Sequence, residues 1–184
     1  GTFYVLAQGG ATPVTILKTT DSFVTVTTIT PPADADTDIA ADDFTRGQSF
    51  YDLLLEVDPV NDNIAYVGGI DLFRTSNSGT SWSQISKWSN NNALSGLNIS
   101  EVHADMHALA FHPSTANVAI IGNDGGVFYA RTLSGASVST TAIASRNRDY
   151  NVTQFYSGAI GQLTTTDMLL AGAQDNGSQF VDAT

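Results

Sequence analysis

The chain has 184 residues, a net charge of −11 with only 7 Lys and Arg, and no cysteine. Its length allows one domain with a core of its own, and the absence of cysteine excludes disulfide-stapled scaffolds and thiol chemistry. The acidic balance argues against nucleic acid and anionic membrane surfaces as partners, and no apolar run is long enough for membrane insertion.

The N-terminal 30 residues predict three strands, at residues 2–8, 14–19 and 24–29. β-Branched residues alternate with others in the second and third of these segments, as is typical of half-buried strands. The pair Pro31-Pro32 then opens a polar insertion over residues 33–48.

Residues 49–86 predict a complete unit of four strands. These strands are expected at residues 49–57, 64–68, 71–75 and 82–85. The turn residues Asp58 and Pro59 separate the first two strands. A second polar insertion, at residues 88–101, follows the unit.

The next unit, residues 105–144, repeats the pattern, and its Pro113 stands 54 residues after Pro59. Its strands are expected at residues 106–111, 118–122, 127–129 and 138–143. A partial unit over residues 152–184 follows, with strands expected at residues 152–160, 168–173 and from residue 180 onward.

A turn motif precedes the last strand of the complete unit, with Thr75, Asn77, Gly79, Ser81 and Trp82 as its spaced residues. An Asn or Asp side chain at this place can hydrogen-bond the backbone two residues on and so build the turn itself. Glycine supplies the positive φ that a tight reversal often needs.

The motif recurs in weaker form. Residues 19–25 carry hydroxyl, Asx and hydroxyl side chains at the same spacing, with Phe23 placed 56 residues before Gly79. The same step leads to Gly135, where the first hydroxyl and the Asx residue are lost. A repeat of roughly fifty residues favours a propeller or a solenoid.

Roughly three, four, four and three strands, at four per unit, predict an all-β fold and a β-propeller segment of about three to four four-stranded blades. The predicted blades are residues 1–30 (partial), 49–86, 105–144 and 152–184 (partial). Because a closed propeller has about four to eight blades, this is an open arc, completed by more of the same polypeptide or by another chain. The alternative is a plain β-sandwich with chance repeats.

The turn motif resembles the Asp-box, or BNR repeat, with Asn77 in place of the usual Asp. Together with the segments HADMHALAFHP, GNDGGVF and GAQDNG, it is similar to secreted bacterial propellers of the sortilin-like and xyloglucanase-like group. The resemblance implies a parent propeller of about seven to ten blades. It also implies an extracellular or cell-surface location and, in many members, binding without catalysis.

Two groups of residues are candidate metal ligands. His103, Asp105 and His107 alternate, so on one strand they would share a face and could converge on zinc or a similar ion. The alternative is a buried hydrogen-bonded pair of Asp105 and His107. Asp34, Asp36 and Asp38 also alternate, as in a calcium loop, although the EF-hand Gly and Glu positions are not matched. The alternative there is a solvated acidic loop.

One aspartate stands at an equivalent turn in each of three units: Asp71, Asp124 and Asp175. We interpret them as turn caps that also tie one blade to the next. A glycosidase would instead need two carboxylates facing each other across a cleft, roughly 5 to 10 Å apart.

The favoured hypothesis is a noncatalytic binding module that presents its two polar insertions to a protein or glycan ligand. Trp88, Tyr51 and Tyr150 are the aromatic side chains expected to stack on sugars. The alternative is a polysaccharide hydrolase of the xyloglucanase type that uses paired Asp carboxylates. Calcium is the one candidate cofactor.

Overall fold

A computed structural model describes residues 1–10, 12–89, 92–149, 153, 155–161, 168–173 and 177–182. In this part of the chain, four antiparallel sheets of three, four, four and three strands follow one another in sequence order. Each sheet is a meander of consecutive strands. The predicted all-β class and strand count are therefore confirmed. No helix within these ranges is long and apolar enough to span a membrane.

The strands have the following bounds. The first sheet contains β1 (Phe3–Gln8), β2 (Val14–Thr19) and β3 (Thr27–Ile29). The second contains β4 (Leu54–Val57), β5 (Ala65–Gly68), β6 (Leu72–Thr75) and β7 (Ser83–Gln84). A short parallel pair, β8 (Ser86–Lys87) with β9 (Ser100–Glu101), follows. The third sheet contains β10 (Met106–Phe111), β11 (Ala119–Asn123), β12 (Gly126–Ala130) and β13 (Ile143–Ser145). The fourth contains β14 (Phe155–Ile160), β15 (Met168–Ala173) and β16 (Ser178–Asp182).

The second sheet is buried on both faces. Tyr66 and Leu72 pack into one core cluster with residues of the third sheet: Met106, Leu109, Ile121 and Phe128. Their chain neighbours Val67 and Phe73 pack into another cluster with residues of the first sheet and the segment after it: Val14, Ile16, Ile29 and Phe44. Adjacent side chains of a strand point to opposite faces, so each of these strands serves both clusters.

This layering decides between the two predicted folds. In a β-sandwich, each sheet covers one face of the other and turns its second face to solvent. Here three consecutive sheets stack face to face, and β4 lies against β1 on one side and β10 on the other. The stack within residues Gly1–Asn147 is therefore a segment of propeller blades.

The turns at residues 19–25 and 75–81, called here the hydroxyl–Asx turns, have the same hydrogen bonds. Thr75 Oγ1 donates to Asn77 Oδ1 (3.0 Å) and accepts from Gly79 N, while Ser81 N donates to Asn77 Oδ1 (3.0 Å). In the earlier turn, the corresponding bonds join Thr19, Asp21, Phe23 and Thr25. The predicted 56-residue step thus carries over to atomic detail in these two turns.

Backbone angles repeat as well. Ser22 and Phe23 have φ of 58° and 68°, and Ser78 and Gly79 have φ of 59° and 84°. Phe23 therefore occupies a left-handed conformation that glycine adopts at lower cost. At the third predicted position the turn differs, because Gly135 has a φ of −99° and a 3₁₀ helix spans Ala136–Val138.

Two local predictions are wrong. The last strand of the third sheet was expected at residues 138–143 but lies at Ile143–Ser145. Hydroxyl side chains explain the difference, since Ser139 Oγ accepts a hydrogen bond from Thr141 N and competes with strand pairing. The polar insertion after Trp88 is also more ordered than expected, because β8 and β9 close it as a parallel pair.

The unit at Arg148–Thr184 contains the fourth sheet. Ile160, Leu169 and Val181 are cross-strand neighbours on one face, and Leu170 and Phe180 pair on the other. All five side chains are exposed. Apolar residues on both faces are typical of a sheet that other layers cover on both sides.

Candidate functional site

One end of the second and third sheets collects titratable side chains from four separate segments. Met106 N, at the start of β10, donates to Gly69 O in the β5–β6 turn (2.9 Å). The segment before β4 reaches the same end, where Tyr51 contacts Asp124 of the β11–β12 turn. The hydroxyl–Asx turn of the second sheet lies at the opposite end, because β6 leads from Leu72 toward it.

Tyr51, His107 and Asp124 form a connected group, the Tyr51–His107–Asp124 cluster. Tyr51 Oη donates to both carboxylate oxygens of Asp124, at 2.9 and 3.1 Å. His107 Nε2 lies 2.6 Å from Asp124 Oδ1. The Tyr51 ring meets the His107 ring edge to face, with centroids 4.8 Å apart. Tyr51 is 49% exposed and its neighbour Phe50 is 75% exposed, so the cluster opens to solvent.

Asp52 lies beneath this surface and is fully buried. Neither of its carboxylate oxygens has a hydrogen-bond partner in another described residue. Burial raises the pKa of Asp52 to about 7, and the neighbouring carboxylates of Asp105, Asp43 and Asp124 raise it further in the same direction. Asp52 is therefore partly protonated near neutral pH, and its ionised form is held in an uncompensated negative field.

Sequence analysis did not select Asp52. The available signal was a single carboxylate inside an apolar run, since Phe50 and Tyr51 precede it and three leucines follow. Such a residue is costly to bury unless something compensates it.

The expected His103, Asp105 and His107 metal face does not form. Only His107 lies in a strand, and Asp105 has a positive φ of 65°, which breaks the alternation of side chains before β10 begins. His103 Nδ1 lies 3.2 Å from Ala104 O, and Gln48 Nε2 donates to Asp105 Oδ1 at 3.4 Å. The alternative pair also differs from prediction, since His107 contacts Asp124 rather than Asp105.

The acidic loop at Asp34, Asp36 and Asp38 forms successive turns. Asp36 N donates to Asp34 Oδ1 (2.8 Å), and Asp38 N donates to Asp36 Oδ1 (3.1 Å). Across the described ranges, no three His, Asp or Glu side chains are grouped closely enough to hold a metal ion. Calcium and zinc binding therefore stay predictions and form no part of the function proposed below.

Asp71 and Asp124 occupy equivalent turns but different surroundings. Asp71 is fully buried and accepts from Ser86 Oγ (3.0 Å) and Gln84 Nε2 (3.1 Å). Burial, followed by the carboxylate of Asp34, raises the pKa of Asp71 well above its usual value. Asp124 instead links its turn to Tyr51, in the segment that leads into the second sheet. Asp175 lies outside the described residues.

The three aromatic candidates are not brought together. Trp88 is half-buried, and its indole Nε1 is buried without a partner in the described part of the chain. Tyr150 lies outside the described residues. Tyr51 alone contributes to the cluster, and Phe50, which the sequence analysis had not chosen, is the more exposed neighbour.

Comparisons with known proteins add the following. No protein family model matches the chain, and no curated protein matches it. A solved structure, described as YCF48 bound to D1 peptide, is similar at 15% sequence identity with a TM-score of 0.38. The match covers 90% of this chain and 44% of that chain, so the present chain spans less than half the length of that protein.

Proposed function

We propose that this chain is a noncatalytic β-propeller segment that binds a protein or glycan ligand through the Tyr51–His107–Asp124 cluster. One observation carries the proposal: two exposed aromatic rings, Phe50 and Tyr51, adjoin the partly exposed carboxylate of Asp124. Aromatic rings supply a large contact area with little entropy cost. A carboxylate accepts hydrogen bonds from hydroxyl, ammonium and guanidinium groups.

The wider setting is part of the same proposal. The paired hydroxyl–Asx turns support membership in the Asp-box propellers, and that group is secreted or displayed on the bacterial cell surface. The exposed faces of the fourth sheet favour further blades, from the same polypeptide or from another chain, that would cover them.

A polysaccharide hydrolase is less well supported. A glycosidase needs two carboxyl groups in contact with its substrate. Asp52 and Asp71 have raised pKa values, as a general acid requires, but both side chains are fully buried. The exposed carboxylate of Asp124 is hydrogen-bonded by Tyr51, which favours recognition over proton transfer.

The test is a binding screen of the intact protein against a glycan array and a displayed peptide library. We expect one of the two sets to yield ligands whose affinity falls at least about tenfold in the double variant Phe50→Ala, Tyr51→Ala. Phe23→Ala is the matched control, because Phe23 is also exposed but lies in the first hydroxyl–Asx turn.

Equal affinity of the double variant and the control would overturn the proposal. A parallel assay for sugars released from β-glucans addresses catalysis. Release that disappears on replacement of one aspartate would establish the hydrolase instead.

A further inference from the structure

We propose that the group recognised at the Tyr51–His107–Asp124 cluster is a cationic side chain, Lys or Arg, presented by a partner protein. This inference rests on the proposed function and names the ligand chemistry of the same site. It selects a basic peptide segment over a neutral glycan. The argument combines the local charge, the buried Asp52 and the exposed rings.

The local charge is strongly negative. Asp52 is influenced by Asp105, Asp43 and Asp124 together, so four carboxyl groups share this end of the sheets. His107 is the one basic group in contact with them by a described ion pair. Among the described residues, no Lys or Arg forms a salt bridge with Asp52 or Asp124. An excess of one charge in a partly covered site attracts ligands of the opposite charge.

Asp52 provides an independent observation. A fully buried carboxyl with both oxygens unpartnered is a polar group whose bonding capacity the described chain does not use. Its electrostatic neighbours include Asp124, which is the carboxylate that reaches the surface. A positive charge bound at Asp124 would therefore stabilise ionised Asp52 through the interior, where the field is weakly screened.

The exposed rings favour the same ligand. Phe50 and Tyr51 stand at the rim of the cluster, 75% and 49% exposed. A guanidinium or ammonium group over an aromatic face gains about 0.5–2 kcal/mol beyond simple contact. Carboxylates beside aromatic rings thus match both the charge and the flat shape of an arginine side chain.

The experiment uses the intact protein and the peptide Gly-Gly-Arg-Gly-Gly, with a citrulline peptide as the neutral isostere, in calorimetric titrations at low salt. We expect binding of the arginine peptide and at least a tenfold weaker binding of the citrulline peptide. Asp124→Asn should weaken arginine binding at least tenfold. Asp21→Asn is the matched control, because it removes the same charge and the second hydroxyl–Asx turn shows that asparagine fits there.

The pH dependence supplies a second measurement. Protonation of His107 and Asp52 both reduce the negative field, as Asp105, Asp43 and Asp124 remain ionised, so binding should weaken from pH 8 to pH 6. Asp52→Asn should bind more weakly than the parent protein at pH 8 and lose much of this pH dependence. Thermal unfolding of each variant confirms that it is folded before it is titrated.

Either of two results would overturn the inference: equal binding of the citrulline peptide, or equal effects of Asp124→Asn and Asp21→Asn. If displayed peptides or glycans still bind in a manner that needs Phe50 and Tyr51, the proposed function stands and only the cationic ligand is wrong. If that binding also fails, both are wrong.

Discussion

At the scale of single residues, Asp52 dominates the chemistry of the site. Its carboxyl group is buried among like charges, which makes proton binding easier in the folded chain than in the unfolded chain. The folded-state pKa of about 7 lies above the model value of 3.8. The stabilisation that comes from the proton is therefore complete below about pH 4 and is lost as pH rises toward 7.

We predict that Asp52→Asn removes this loss. At pH 5 the protonated carboxyl and the amide are close in shape and charge, so the two proteins should have similar free energies of unfolding. At pH 8 the variant should be more stable by about 1–2 kcal/mol, after screening by solvent is allowed for. Urea unfolding at the two pH values measures the difference. A variant that is less stable than the parent at pH 8 would contradict the predicted pKa.

A second residue-scale prediction concerns Gly79. A methyl group there would lie 2.6 Å from Ile29 Cγ2, and the φ of +84° disfavours any side chain. We expect Gly79→Ala to lower the free energy of unfolding by about 1–3 kcal/mol. Gly96→Ala is the control, because no heavy atom lies within 4 Å of its added methyl, and it should change stability by less than about 0.5 kcal/mol.

At the scale of elements, the hydroxyl–Asx turns show what a sequence can reveal. Their hydrogen bonds join residues within a few positions of each other, so spacing alone predicted both turns, including the one in which Phe23 replaces glycine. The strand Met106–Phe111 was predicted with its observed bounds for the same local reason. Residue alternation is a property of the strand itself.

Other features depend on distant parts of the chain and were missed. The face of His103, Asp105 and His107 fails because Asp105 adopts a left-handed conformation before β10. Asp52 owes its burial and its field to segments that are far away in sequence. No pattern of nearby residues encodes such contacts.

The turn itself yields an element-scale prediction. Asn77→Ala removes the acceptor for Ser81 N and should cost about 1–2 kcal/mol of stability. Asn77→Asp should change stability little, because Asp21 accepts the equivalent bonds from Thr25 in the first turn. Denaturant unfolding of both variants provides the comparison. Equal losses for alanine and aspartate would show that the two turns are not interchangeable.

At the scale of the whole molecule, the stacked sheets and the fourth sheet contrast. The second sheet is covered on both faces, whereas the fourth exposes apolar side chains on both. Apolar area exposed in this way promotes association. The strand count and the all-β class could be predicted from the repeat, but which faces lack cover became visible only in three dimensions.

We predict that the isolated chain self-associates through the fourth sheet. Leu170 and Phe180 are paired across β15 and β16 and are 50% and 57% exposed. Leu170→Thr with Phe180→Thr should lower the average mass seen in sedimentation velocity at about 50 µM, because less apolar area remains to be buried. Val60→Thr is the control, since Val60 is 82% exposed in a turn of the second sheet. An unchanged mass in the double variant would contradict the prediction.

The indole of Trp82 has a consequence for anyone who transplants these modules. Its Nε1 donates to Thr30 O at 2.9 Å and so clasps the second sheet to the segment that leaves the first. A module excised at the sheet boundaries would carry half of this clasp at each cut. A module cut inside the sheets, from β3 to Trp82, would keep donor and acceptor on one piece and would be the better unit for building longer arrays.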